Sequence, residues 1–179
     1  MPLSNTSTTY GSVTKTFHWL TALLILAMFP LGLLASDLAH DVRGGSASPD
    51  DSALQLAATL FSMHKTIGVA LFFVALARIA WAIGQPKPAL LNGDKPAEAW
   101  LAETVHWLLY GSLVAVPLSG WVHQAASSGF APIWWPLGQS LPLVPKDERL
   151  ADITGTLHYL LQWMLLAAIA LHVAGALKH

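Results

Sequence analysis

Long apolar runs alternate with short polar stretches along this chain. The first run extends from about Val13 to Ala35, the second from about Phe61 to Ile83, the third from about Ala99 to Val122 and the fourth from about Ile153 to Leu177. Each exceeds the roughly 20 residues that a helix needs to cross a hydrocarbon core about 30 Å thick. The pattern predicts four transmembrane helices. Only helices or closed barrels satisfy their backbone polar groups in lipid, and connections this short favour an antiparallel bundle. The expected fold is therefore an all-α integral membrane four-helix bundle, one membrane domain over residues 1–179. The last run continues almost to His179, which leaves room for a further C-terminal tail.

The polar stretches refine these spans. Residues Met1 to about Ser12 are rich in Ser and Thr, without the basic start and short apolar run of a cleaved signal peptide. Pro30 falls near the far end of the first span and Pro117 near the end of the third, where each should kink its helix. Ser36 to about Leu60 reads as a polar segment carrying Asp37, His40, Asp41, Arg43, Asp50 and Asp51, with Ala53 to Leu60 as a short interfacial helix. Gly84-Gln-Pro-Lys-Pro closes the second span. Ala125 to Arg149 reads as a Pro- and aromatic-rich loop, and its adjacent Trp134 and Trp135 place it on the membrane surface.

Composition supports this class. Of the 179 residues 54% are hydrophobic and 11% charged, less than half the usual charged share of about 25%; the mean hydropathy is +0.53. A net charge of −1 without a basic cluster gives no reason to expect nucleic-acid binding. The eight Trp mostly flank the apolar runs, as interfacial anchors do. Lys15, Arg78, Lys87, Lys95 and Lys178 fall at one end of the spans, and Arg43, Lys65, Lys146 and Arg149 at the other. With the acidic first loop on the second side, both termini are read as cytoplasmic.

Candidate chemistry follows from two counts. There is no cysteine, which removes iron–sulfur clusters, covalently attached c-type haem, thiolate zinc sites and disulfides. There are eight histidines, several of them inside apolar spans, where a titratable ring is costly and marks a functional site by default. On the fourth span His158 and His172 are fourteen residues apart. At about 100° and 1.5 Å per residue, both rings point to nearly one face, on the order of 21 Å apart along the axis. His18 begins the first span and lies at the depth of His172; His64 begins the second and lies at the depth of His158. Two cross-bundle pairs result, His18 with His172 and His64 with His158.

Two imidazoles per metal in an apolar slot suit a b-type haem that transfers electrons. Gly68, one turn after His64, would let a flat ring approach the backbone. His106 lies at the right depth to compete with His18, and His123 could compete with His64. These two are roughly 100° out of phase, so one face of the third span cannot serve both sites, and periodicity alone leaves His18 and His106 open. Asp37, His40 and Asp41 read as a solvated loop, and Trp19, Trp107 and Trp163 as anchors near enough to line a haem or quinone pocket.

Phe17-His18-Trp19 opening the first span, Met63-His64-Lys65-Thr66-Ile67-Gly68 opening the second, His106 with Pro117 eleven residues later, and the His158–His172 spacing together resemble the bacterial cytochrome b561 family over essentially Tyr10 to Lys178. The resemblance implies an inner-membrane protein with two non-covalent b haems, whose axial iron ligands match His18, His64, His158 and His172, and whose third-span histidine is not a ligand. It implies electron transfer between an external donor, superoxide or a redox protein, and membrane quinone such as ubiquinone, in some members as a superoxide oxidase. The long first and third loops depart from compact members and leave the donor open. A second expectation is a haem b anchor subunit of a larger dehydrogenase or hydrogenase-type complex, and a homodimer is compatible with either. A non-redox, histidine-dependent transporter ranks third, because Glu103 is the only carboxylate clearly near a span interior.

Overall fold

The computed structural model describes residues 2–41, 52–89, 94–136 and 138–178. Four helices account for most of them: α1 over Ser12–Asp41, α2 over Ser52–Ile83, α3 over Pro96–Ala126 and α4 over Glu148–Lys178. All four are long and apolar enough to cross a membrane. The protein is an all-helical, multi-pass membrane protein whose consecutive helices pack in chain order, α1 on α2, α2 on α3 and α3 on α4.

The helices outrun the apolar spans. At 30 to 32 residues each they rise about 45–48 Å, against a hydrocarbon core about 30 Å thick. The polar segment expected over Ser36 to Leu60 is largely helical. α1 continues through Asp37 and His40, and α2 begins at Ser52 and absorbs the short interfacial helix expected at Ala53. The reason is local: Ser36 to Asp41 contains no Gly or Pro, and Ala53-Leu-Gln-Leu-Ala-Ala is made of strong helix formers. Gly44-Gly45, Arg43, Asp50 and Asp51 lie outside the described residues.

The helix ends have identifiable signals. Pro96 opens α3, where its missing N–H costs nothing. Asp147 precedes α4 and its carboxylate accepts the Leu150 N–H at 2.7 Å, an N-cap bond. The N-terminal segment is strapped to the α2–α3 connection by Asn5, whose N–H donates to Gln85 Oε1 at 3.0 Å and whose side chain donates to the Pro86 carbonyl at 3.2 Å.

Size sorts inside from outside. Leu26, Trp19, Trp107 and Leu23 are more than 60% exposed, while the largest fully buried side chains are Thr21 and Ser112. Small residues inside let helices approach closely, and large apolar ones outside meet lipid. Near mid-height Leu71, Ala75 and Leu113 form a buried cluster, with Leu24, Ile25 and Met28 packed on it. Ile25, Leu71 and Leu113 each follow a histidine (His18, His64, His106) by seven residues, and buried Leu165 stands midway between His158 and His172. An apolar layer thus separates two histidine levels. The end formed by the α1–α2 and α3–α4 connections is termed outer below, the other inner.

Candidate functional site

The outer level is built twice by the same means. His64 on α2 turns its ring onto α1, where its Nδ1 lies 3.1 Å from the Met28 carbonyl. A Cβ added at Gly32, one turn further along α1, would fall 2.9 Å from the His64 ring. His158 on α4 turns onto α3 in the same way, with Nδ1 2.9 Å from the Val116 carbonyl. A Cβ at Gly120, again one turn on, would fall 2.9 Å from its ring. A carbonyl only accepts, so each Nδ1 carries the proton and each Nε2 keeps a free lone pair. Such outer hydrogen bonds are how a protein fixes the tautomer and aim of a metal-binding imidazole.

The two rings then face each other with centroids 6.3 Å apart and planes at 90°. A metal about 2.0–2.1 Å from each nitrogen would fit between rings at this separation, held by His64 and His158. Around them opens a cavity of about 810 Å³, lined among others by Gly32, Gly68, Val116, Gly120, Tyr159 and Trp163. The apolar slot, the paired free nitrogens and the glycines on either side fit a haem.

At the inner level His18 on α1 and His172 on α4 have ring centroids 6.2 Å apart at 61°, almost the separation of the outer pair. His106 on α3 approaches the same His172 ring to 5.1 Å, edge-on at 87°. Its Nδ1 is 2.6 Å from the carbonyl of Ala102 in its own helix. Of the two rings that periodicity left open, His18 stands farther from His172 than His106 does. His123 lines the same cavity as His64 and His158, but its ring is engaged on α4. Its Nδ1 is 2.7 Å from the Ala151 carbonyl and its ring rests on Gly155.

Other expected residues are placed as follows. Gly68 is buried in the cavity wall, with Met28 Cε at 3.3 Å from where its Cβ would be. Trp163 lines the cavity, whereas Trp19 and Trp107 are 65% and 73% exposed and face outward. Asp37 and His40 are exposed on the last turns of α1. Among the described residues no three His, Asp or Glu side chains gather as an ion cluster.

The α3–α4 connection covers the outer mouth. Lys65 Nζ donates to the Ala131 carbonyl at 2.9 Å, and the Trp134 N–H donates to Thr66 Oγ1 at 2.9 Å. Trp121 Nε1 donates to the Gly138 carbonyl at 3.0 Å, and Lys146 Nζ to the Ser127 carbonyl. Sequence reasoning missed these ties, and it missed Gly32 and Gly120, because each partner lies 17 or more residues away in the chain.

A bundle that crosses the membrane four times and pairs imidazoles at two depths in its interior defines the class of membrane cytochromes b. The chain belongs to the prokaryotic cytochrome b561 family, whose model matches residues 9–179. It is 28% identical to Cytochrome b561 homolog 2 of Escherichia coli (strain K12) over 179 residues, all of this chain and 88% of that one. It is 24% identical over 173 residues to the Probable superoxide oxidase CybB of Yersinia pestis, covering 95% of this chain and 88% of the relative. Membership makes it an electron-transport oxidoreductase and supports haem b as its cofactor.

Proposed function

We propose that this protein holds two non-covalent b haems in the bacterial inner membrane, one between His18 and His172 and one between His64 and His158, and carries electrons between an external donor and membrane quinone. The observation that carries this reading is the repeated separation, 6.2 Å and 6.3 Å between ring centroids, at two levels fourteen residues apart on α4. Haem, when bound, supplies an iron that accepts and releases one electron without large rearrangement.

The chain's own residues supply aim and exclusion. The Met28 and Val116 carbonyls hold the outer rings with Nε2 directed into the gap, Gly32 and Gly120 leave room for them, and the mid-height apolar layer excludes water between levels. Both termini are read on the cytoplasmic side, so the covered outer mouth faces away from the cytoplasm.

The name of the Yersinia pestis relative extends the reading to superoxide as donor and ubiquinone as acceptor. Two superoxide anions would give up one electron each and leave as dioxygen, and the quinone would take both electrons and two protons to become quinol. An anionic donor needs a positive mouth. Arg149 is exposed there, but Lys65 and Lys146 spend a hydrogen bond on loop carbonyls, and Asp147 and Glu148 stand beside Lys146. Those residues shape the approach rather than form an open funnel.

The test is a reduced-minus-oxidised absorption spectrum with haem counted per polypeptide. The wild type should carry two haems, His64→Ala should lose one, and His106→Ala should keep both. Wild type without haem would sink the redox reading and favour a transporter, and loss at His106→Ala would sink the ligand assignment. A two-haem protein that reduces ubiquinone only when a partner protein is added would favour the subunit reading.

A further inference from the structure

Arg78 is a charged side chain inside a membrane-spanning helix, and the described residues leave its fork of donors unused. Its guanidinium lies over the Tyr110 ring, 5.3 Å from the centroid. Among the described residues it makes no hydrogen bond or ion pair, although it carries five N–H donors and a charge at this depth is expensive. The carboxylates nearest that end are already engaged: Glu98 with Lys178 at 2.9 Å and Lys95 at 3.5 Å, Glu103 with Lys87 at 2.8 Å.

Its register shows where it points. Arg78 follows His64 on α2 by fourteen residues, the interval that separates His158 from His172 on α4. At about 100° per residue the two side chains leave α2 on nearly one face, roughly 21 Å apart. α2 therefore presents His64 to the outer level and Arg78 to the inner one. The guanidinium lies within electrostatic range of both His18 and His172, and Tyr110 holds it on the α3 side instead of letting it extend to the lipid surface.

We propose that Arg78 binds the carboxylate side chains of the haem at the inner level, pairing its planar fork with a propionate. The proposal rests on the two-haem reading above. A planar, permanently charged fork matches a carboxylate in two parallel hydrogen bonds, and the pairing supplies the partner that the described residues do not. Arg78 is then a positioning residue for the cofactor, fixing which edge of the inner haem faces the cytoplasmic end.

The experiment is a spectroscopic redox titration of purified holoprotein at pH 6, 7 and 8, for wild type, Arg78→Gln, Arg78→Lys and Lys15→Gln. Lys15 is an exposed cation at the same end and controls for charge at a distance. In Arg78→Gln the abandoned carboxylate is ionised at high pH, where its negative charge favours the ferric form. One haem should therefore titrate at lower potential at pH 8 and return toward the wild-type value at pH 6, where the carboxylate is protonated. Arg78→Lys should fall between, and Lys15→Gln should match wild type. If Arg78→Gln instead loses one haem while keeping its helical content, restoration of that haem by Arg78→Lys supports the pairing. A potential that is unmoved, or lowered equally at all three pH values, or lowered equally by Lys15→Gln, would overturn it and return Arg78 to a lipid phosphate or a diffuse field. A wild type without two haems would fail the earlier reading; two haems indifferent to Arg78 would fail only this one.

Discussion

The candidate histidines were legible one residue at a time, because an imidazole in an apolar span is conspicuous wherever it falls. Their supports were not. Gly32 sits 32 residues before His64 and Gly120 sits 38 before His158, and nothing in either neighbourhood announces that a ring from the next helix will rest on it. Gly68, singled out for its closeness to His64, lines the cavity with the Met28 methyl beside it. The seats lead to a sharp expectation. Gly32→Ala or Gly120→Ala forces a Cβ to within 2.9 Å of a ring, and overpacking of that kind costs about 1–3 kcal/mol. The outer haem should be weakened or lost on purification while the inner one stays, as read from the spectrum and haem count. Gly111→Ala, where no atom lies within 4 Å of the added carbon, should leave both. Equal behaviour of all three variants would remove the seats from the account.

At the scale of elements, the number and middles of the helices followed from hydropathy, and their ends did not. Apolarity measures the thickness of lipid, whereas a helix ends where capping and chain-breaking residues end it. Hence α1 and α2 run through a stretch whose charges suggested a loop, and α4 starts at its Asp147 cap. The α3–α4 connection was expected to rest on the membrane surface by virtue of its Trp pair. Trp134 and Trp135 are about half exposed, and the segment is tied to Lys65 and Thr66 within α2 by hydrogen bonds between side chain and backbone that no local pattern encodes. Thr66→Val removes the acceptor of the Trp134 N–H, and a lost hydrogen bond of this kind costs about 1 kcal/mol. Amide exchange over residues 131–135 should accelerate with both haems retained. Unchanged exchange would show that Thr66 does not hold the cover.

Over the whole molecule, the two halves prove alike in a way the sequence did not disclose. No internal repeat is visible in the residues, yet α1–α2 and α3–α4 each lay a histidine of the second helix on a carbonyl and a glycine, one turn apart, of the first. The outer rings are consequently held before any cofactor arrives. Among the described residues no such support holds His18 or His172, whose ring contacts are with Trp19, with His106 and with each other. The outer level is therefore the better prepared, and apoprotein supplied with substoichiometric haem should fill it first. Haem entering at the inner pair first, identified by loading His64→Ala and His172→Ala variants in parallel, would contradict that order.

The separation of the two levels along α4 has an electrical consequence. A rise of roughly 21 Å out of a core of about 30 Å spans some two thirds of the dielectric. With the inner pair toward the cytoplasm, as proposed, one electron carried to it from the outer pair would thus work against a cytoplasm-negative membrane potential by about 1.5 kcal/mol per 100 mV. Turnover in vesicles should slow as such a potential is imposed if donor and quinone meet the protein at opposite ends. It should be indifferent if both meet it at the outer end. A diffusion potential across a liposome would then distinguish a wire that charges the membrane from a shunt confined to one of its faces.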